Sequence, residues 1–148
     1  MSEHRVRVEW QRDGIEFSFE KYPREHSWIF EGGHRVPASA APDYLGDASR
    51  VDPEEAFVAS LSSCHMLTFL ALAARKRLVV ERYHDEAVGL LEKNAEGRAA
   101  ITRVVLRPQI EFGGEAPDAP QLERLHAKAH EHCFIANSVR TEVQVESG

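Results

Sequence analysis

The feature that most constrains this chain is an apolar run from Ala56 to Ala74, in which 14 of 19 residues are apolar and only Ser60, Ser62, Ser63, His65 and Thr68 interrupt. Val51-Asp52-Pro53-Glu54-Glu55 precedes it. Asp52 is a good N-cap, Pro53 fits the first helical position, and Glu55 completes an Asp-x-x-Glu capping box. The pattern predicts one helix from Asp52 to about Lys76. Arg75-Lys76-Arg77 lies at its negative end, where cations are favoured. Because the run is apolar all round, the helix is expected to be buried on every side. About 20 apolar residues also suffice to cross a bilayer. The three serines and the histidine at the centre argue against that, since polar groups are costly in lipid, and no membrane partner is expected.

The flanking segments read as strands. Val6, Val8 and Trp10 alternate with Arg5, Arg7 and Glu9, the period of a half-buried strand. Asp13-Gly14 is a hairpin signal, after which Ile15, Phe17 and Phe19 resume the alternation. A third strand runs from about His26 to Phe30 and ends at Gly32-Gly33. These three are expected to form an antiparallel meander. Residues 36–52 carry Pro37, Pro42, Gly46 and Asp47 and read as loop, of a length that is often functional or contacts a partner. Beyond the helix, Val79–Glu92 and Arg98–Ile110 are long strand-like runs joined by Asn94-Ala95-Glu96-Gly97, where Gly97 suits a left-handed position. Residues 119–132 form a second amphipathic helix with Leu122, Leu125 and Ala129 on one face, and Val139, Thr141, Val143 and Val145 a last strand. The order βββ-α-ββ-α-β is an α+β fold, and 148 residues are expected to form one domain, 1–148.

With 18 Lys plus Arg against 24 Asp plus Glu, the net charge of -6 argues against a nucleic-acid partner, which needs clustered cations. The polar start, Met1-Ser2-Glu3-His4-Arg5, lacks the apolar segment of a signal peptide. Two cysteines, Cys64 and Cys133, are too few for a secreted disulfide scaffold. A reducing cytoplasm is expected, where the thiols are inert, metal-bound or redox-active. Cys64 falls mid-helix, where buried cysteines are often small core hydrophobes.

The surroundings of both thiols carry more. Asp52-Pro53-Glu54-Glu55-Ala56-Phe57-Val58-Ala59-Ser60-Leu61-Ser62-Ser63-Cys64-His65-Met66-Leu67 resembles the OsmC/Ohr family of thiol peroxidases in its acidic Pro-Glu entry, small-residue run and Ser-Cys-His-Met. Ala129-His130-Glu131-His132-Cys133-Phe134-Ile135-Ala136-Asn137-Ser138 is similar to the family's second cysteine motif, and Tyr22-Pro23-Arg24-Glu25-His26 to its N-terminal arginine segment. The likeness is closest to the OsmC-like branch. Organic hydroperoxide resistance proteins proper usually continue Cys-Pro where this chain has Cys133-Phe134.

The resemblance implies an OsmC-like fold, an intertwined homodimer with sites at the subunit interface, and a cysteine-based peroxidase for organic and possibly inorganic hydroperoxides. It implies that Cys64 attacks the peroxide and that Cys133 resolves the sulfenic acid as a disulfide. An external dithiol, of lipoyl type, or a small thiol would then reset the pair. The chemistry has two requirements. A thiol in an apolar setting is disfavoured as the reactive thiolate, so a cation must stand beside it. Arg24 is the candidate, being permanently charged and able to hydrogen-bond peroxide oxygens; otherwise it is a surface arginine. Glu54 is the candidate carboxylate to orient that arginine, or it complements the helix dipole. Ten residues of helix span about 15 Å, so Glu54 cannot touch Cys64 of its own helix. Either it serves another chain, which favours antiparallel helices side by side, or Arg24 bridges the gap.

Two other readings use the same residues. His126, His130 and Cys133 fall at i, i+4 and i+7, a plausible zinc spacing with Cys64 or His65 as fourth ligand, although His126 and His132 are expected on the solvent side. A non-catalytic binder could hold a small apolar ligand among Trp28, Phe57, Met66, Phe69 and Phe134, which otherwise pack the core. The sequence has no dinucleotide or phosphate-loop glycine motif and no Gly-x-Ser-x-Gly elbow, so no cofactor is expected. Ser60, Ser62 and Ser63 read as packing residues.

Overall fold

The computed structural model describes residues 1–146, in two compact units, Met1–Ala56 and the chain from Phe57 onward. In the first unit β1 (Val6–Glu9), β2 (His26–Phe30) and β3 (Arg35–Ala38) form an antiparallel meander in that order. Two of its strands lie as the alternation predicts. The Ile15–Phe19 segment does not pair. The Asp13-Gly14 turn forms, with both residues at positive φ (53° and 74°), but the chain then winds through turns at Ser18–Tyr22. Phe17 stacks on Tyr22 at 5.2 Å and stands edge-on to Trp10 at 6.0 Å. The alternating aromatics thus build a small ring cluster rather than a ladder. The third strand comes instead from Arg35–Ala38, expected in loop; it is an edge strand, where Pro37 can sit without breaking pairing. Val6, Val8 and Trp10 are 54%, 62% and 45% exposed in the single chain, not half-buried as their period suggests.

The capping box closes as predicted. The Asp52 carboxylate accepts from the Glu55 N–H at 2.8 Å, and the Asp52 N–H donates back to Glu55 Oε1 at 3.0 Å. Helix α1 runs Pro53–Arg75. Beyond it Arg77 takes φ +61° while the Leu78 N–H reaches the Ala73 carbonyl at 3.0 Å, a left-handed close that ordinarily selects glycine. The expectation that α1 is buried all round is not met within one chain. Only the stripe Leu61, His65, Phe69 and Ala73, spaced by four, is buried, and Leu67 is 61% exposed. The helix is long and apolar enough to span a membrane, yet its polar interior is bound by protein, as described below.

In the second unit the two long runs each break in two, so four strands stand where two were expected: β4 (Val79–Asp85), β5 (Val88–Lys93), β6 (Ala99–Leu106) and β7 (Pro108–Gly113). The hairpin character survives. β5 pairs with β6 across the Asn94–Gly97 turn, where Gly97 has φ +78°, and β4 pairs with β7. Both arms break at one level because Asp85 claims the backbone there. Its Oδ1 accepts the Arg107 N–H at 2.6 Å, and its other oxygen accepts the Ser62 hydroxyl of α1. Ser62 is therefore a tether as well as a packing residue. β8 (Glu142–Val145) adds to β6 in parallel. Helix α2 (Ala119–His132) starts on Asp118, whose carboxylate accepts from the Gln121 N–H at 2.8 Å.

Two apolar clusters result. Phe69, Ala73, Leu125 and Ala129 form one with Val80, Tyr83, Ile110 and Phe112 of β4 and β7. Leu61, Val104 and Leu106 form the other with Val58, Ile101, Ile135, Ala136 and Val143. Gly89 lets α1 close on β5, since a Cβ there would lie 2.5 Å from Val58 Cγ2. Two substitutions test the helix ends by urea unfolding. Arg77→Gly should raise stability by about 0.5–1 kcal/mol, relieving the left-handed arginine. Asp52→Ala should lower it by about 1 kcal/mol.

Candidate functional site

Helix α1, and α2 with the turn that follows it, pass from one apolar cluster to the other, and the polar side chains between the clusters make the site. On α1 the order is Leu61 of the second cluster, then Cys64 and His65, then Phe69 of the first. Along α2 and the turn after it the order is Leu125 and Ala129 of the first cluster, then Cys133 at the C-cap, then Ile135 and Ala136 of the second.

Tertiary folding places the Cys64 sulfur near enough to Cys133 to act on its thiol, and both cysteines are free. Cys133 ends α2 as its C-cap, with its N–H on the His130 carbonyl at 3.3 Å, and is 1% exposed. Its Sγ accepts the Ala136 N–H at 3.4 Å. Burial pushes the Cys133 thiol up and the neighbouring Cys64 sulfur adds to this, while the N–H groups of Ala136 and Ile135 pull down without prevailing. Cys64 is half-buried. The pair is thus unequal: Cys64 keeps part of its surface open, whereas Cys133 is sealed and its thiol pushed up.

Immediately beside them lies an interaction that the expectations missed. His65 Nε2 and His126 Nδ1 are 3.0 Å apart, with rings nearly parallel at 9° and 5.3 Å between centroids. The His126 ring also stacks on Phe69 at 4.6 Å. His65 is 1% exposed and His126 4%, so His126 is a core residue and not on the solvent side. The outer nitrogens, His65 Nδ1 and His126 Nε2, are buried without a hydrogen-bond partner among the described residues. The sequence held the signal. His65 continues the spacing Leu61, His65, Phe69, and His126 shares the face of Leu122, Leu125 and Ala129.

His126 being turned to His65, the i, i+4, i+7 spacing with Cys133 does not become a ligand set. Among the described residues no three His, Cys, Asp or Glu side chains could hold a metal. Phe69 is fully buried core, whereas Phe134 is 80% exposed, so these two do not line a common cleft. Arg24 and Glu54 belong to the first unit. The Arg24 guanidinium lies 3.6 Å over the Tyr22 ring and donates to the carbonyls of Tyr22 at 2.8 Å and Phe19 at 2.7 Å. It forms no ion pair among the described residues. Glu54 Oε2 is buried with no hydrogen-bond partner among them.

Comparison with known proteins bears on these features. The sequence profile of OsmC-like proteins matches residues 46–148. The structure of an OsmC-like protein of unknown function from Vibrio cholerae is similar over 100% of both chains, with 52% identity and a TM-score of 0.96. An organic hydroperoxide resistance protein from Legionella pneumophila shares the fold at 18% identity and a TM-score of 0.72, over 99% of this chain and 96% of that one. An organic hydroperoxide resistance protein from Elizabethkingia anophelis does so at 15% identity and 0.70, over 99% and 95%. No curated protein matches the chain.

The imidazole pair makes stability depend on pH. Burial first, then the neighbouring His126 and His130, lowers His65 to about 4 against the opposing pull of Asp85. Burial lowers His126 to about 4, again against Asp85. An unfolded imidazole takes its proton near pH 6.5, so between about 6.5 and 4 the unfolded chain binds more protons. Stability should therefore fall as pH drops through that window and level off below it. Urea midpoints at pH 7 and 4.5 should show this loss in the native protein and a smaller one in His65→Phe/His126→Phe; equal losses would refute it.

Proposed function

We propose that this chain, which belongs to the OsmC-like protein family, is a thiol peroxidase that reduces organic hydroperoxides through Cys64 and Cys133. The observation that carries the reading is that folding sets a half-buried cysteine beside a sealed one. A disulfide needs Cα atoms about 4.4–6.8 Å apart, and sixty-eight residues lie between these two cysteines. Their proximity in the fold supports a bond that forms without refolding.

The Cys64 thiolate attacks the distal oxygen of the hydroperoxide, the O–O bond breaks, and the alcohol leaves after taking one proton. Cys64 is now a sulfenic acid, oxidised by two electrons. The Cys133 thiol attacks that sulfur, an S–S bond forms, and the sulfenic oxygen leaves as water carrying the Cys133 proton. A raised thiol suits this second role, since it stays protonated until its partner is oxidised. An external dithiol, of lipoyl type or a pair of small thiols, returns both electrons. No bound cofactor enters.

Arg24 is the proposed activating cation and Glu54 the carboxylate that orients it. A guanidinium braced by its own aromatic ring, without a salt bridge, and a buried carboxylate oxygen without a donor are complementary. Glu54 and Cys64 lie ten residues apart on one helix, so the proposed assembly is a homodimer in which Glu54 serves the partner's thiol. The apolar faces of α1 that one chain leaves uncovered support such a partner. The proposed setting is the cytoplasm.

One equivalent of cumene hydroperoxide should yield a Cys64–Cys133 disulfide by mass spectrometry in the native protein and none in Cys64→Ser. Two untouched thiols would refute the peroxidase. Arg24→Ala should keep the fold and slow peroxide consumption on the order of 10²-fold, the scale of losing one preorganised charged donor; unchanged kinetics would show that another cation acts. Light scattering of the native protein should give twice the chain mass of 16.7 kDa.

A further inference from the structure

The His65–His126 bond lies where two helices present two thiols, and its place is informative. On α1, His65 adjoins Cys64. On α2, His126 stands seven residues before Cys133, two turns up the same face. Leu72 and Arg75 of α1 share a groove with Gln121 and Leu125 of α2, while Cys64 lies near Cys133, so the helices run in opposite directions. Along this line the remaining contacts, Phe69 and Ala73 against Leu125 and Ala129, are apolar. Apolar contacts hold helices together but tolerate sliding, because they have no direction. The imidazole bond at 3.0 Å is the directional contact between the two helices beside the sulfurs.

It is retained at a cost. Two neutral imidazoles hold two N–H groups between them, and one is used in the bond. The other N–H and one bare nitrogen are left buried and unsatisfied. Leucine or phenylalanine would fill this space without that penalty. Three other groups approach the pair: Asp85 of β4, His130 of α2, and Tyr83 of β4, whose ring contacts Phe69. None of them pairs with the outer nitrogens.

We infer that His65 and His126 are positioning residues: their neutral imidazole–imidazole bond fixes the register of α1 against α2 and thereby holds Cys133 within bonding reach of Cys64. The inference rests on the peroxidase reading for its use, since it is the resolving step that needs this register, but it is tested without peroxide.

The experiment equilibrates the protein with mixtures of reduced and oxidised dithiothreitol and measures the Cys64–Cys133 disulfide constant by mass spectrometry. A second arm adds cumene hydroperoxide and counts sulfenic acid trapped by dimedone. The bond uses Nε2 of His65, a position glutamine can imitate, and Nδ1 of His126, a position asparagine can imitate. His65→Gln and His126→Asn should keep the disulfide constant within a few-fold of native, whereas His65→Asn and His126→Gln should lower it by about tenfold or more, as misplacing reacting groups by an ångström does. His65→Leu/His126→Leu, which removes both polar partners and folds without orphaned nitrogens, should show the same loss and more trapped sulfenic acid. Equal constants in the two single-variant pairs, or a native constant in the double leucine variant, would overturn the clasp. Failure of the native protein to consume peroxide, with these differences intact, would overturn the peroxidase alone.

Discussion

The line of contact between α1 and α2 is the constraint on which the site depends. Cys64 and Cys133 are far apart in sequence and meet because the Phe69 stripe of one helix packs on the Leu125 face of the other. Burying a side chain such as Phe69 or Leu125 is worth about 1.5–3 kcal/mol, and an unsatisfied buried nitrogen costs about 1–3 kcal/mol. The apolar clusters on either side thus offset the polar seam they enclose. Neither cluster alone would hold both helices across it.

Within that seam the two sulfurs differ through burial. Closure of α2 at Cys133, followed at once by the Ile135–Ala136 turn, shuts that thiol away from water. Cys64 sits mid-helix with part of its surface open. The division of labour proposed for them follows from burial: desolvation pushes the Cys133 thiol up, while partial exposure leaves Cys64 the one open to attack, with Arg24 proposed to hold it charged.

Much of this was legible in the sequence where the chemistry is local. The Asp52–Glu55 box, the Gly97 turn and the Leu122, Leu125 and Ala129 face of α2 follow from residue type and spacing. The family was readable from its cysteine motifs. What could not be read was decided by distant partners. Ile15, Phe17 and Phe19 have a strand's period, yet ring packing on Tyr22 and Trp10 decides their path. The first hairpin arm carries no glycine or proline where it breaks and the second only Pro108, yet Asp85 takes the Arg107 N–H and divides them at one level. His126 is expected on the solvent side, although its helical position already places it with Leu125, and it is buried. The uniform apolarity of α1 was visible, but which faces one chain covers depends on how many other elements that chain possesses.

The kinked β-ribbon has a consequence of its own. One half, β4 with β7, supplies walls to one apolar cluster, and in the other half, β5 with β6, strand β6 lines the second. Asp85 fastens the kink to α1 through Ser62. The ribbon therefore works like a crossbeam nailed at mid-span beneath two rooms: neither room can loosen without twisting the beam under its neighbour. Cooperativity in this half of the protein is thus built into one carboxylate's grip.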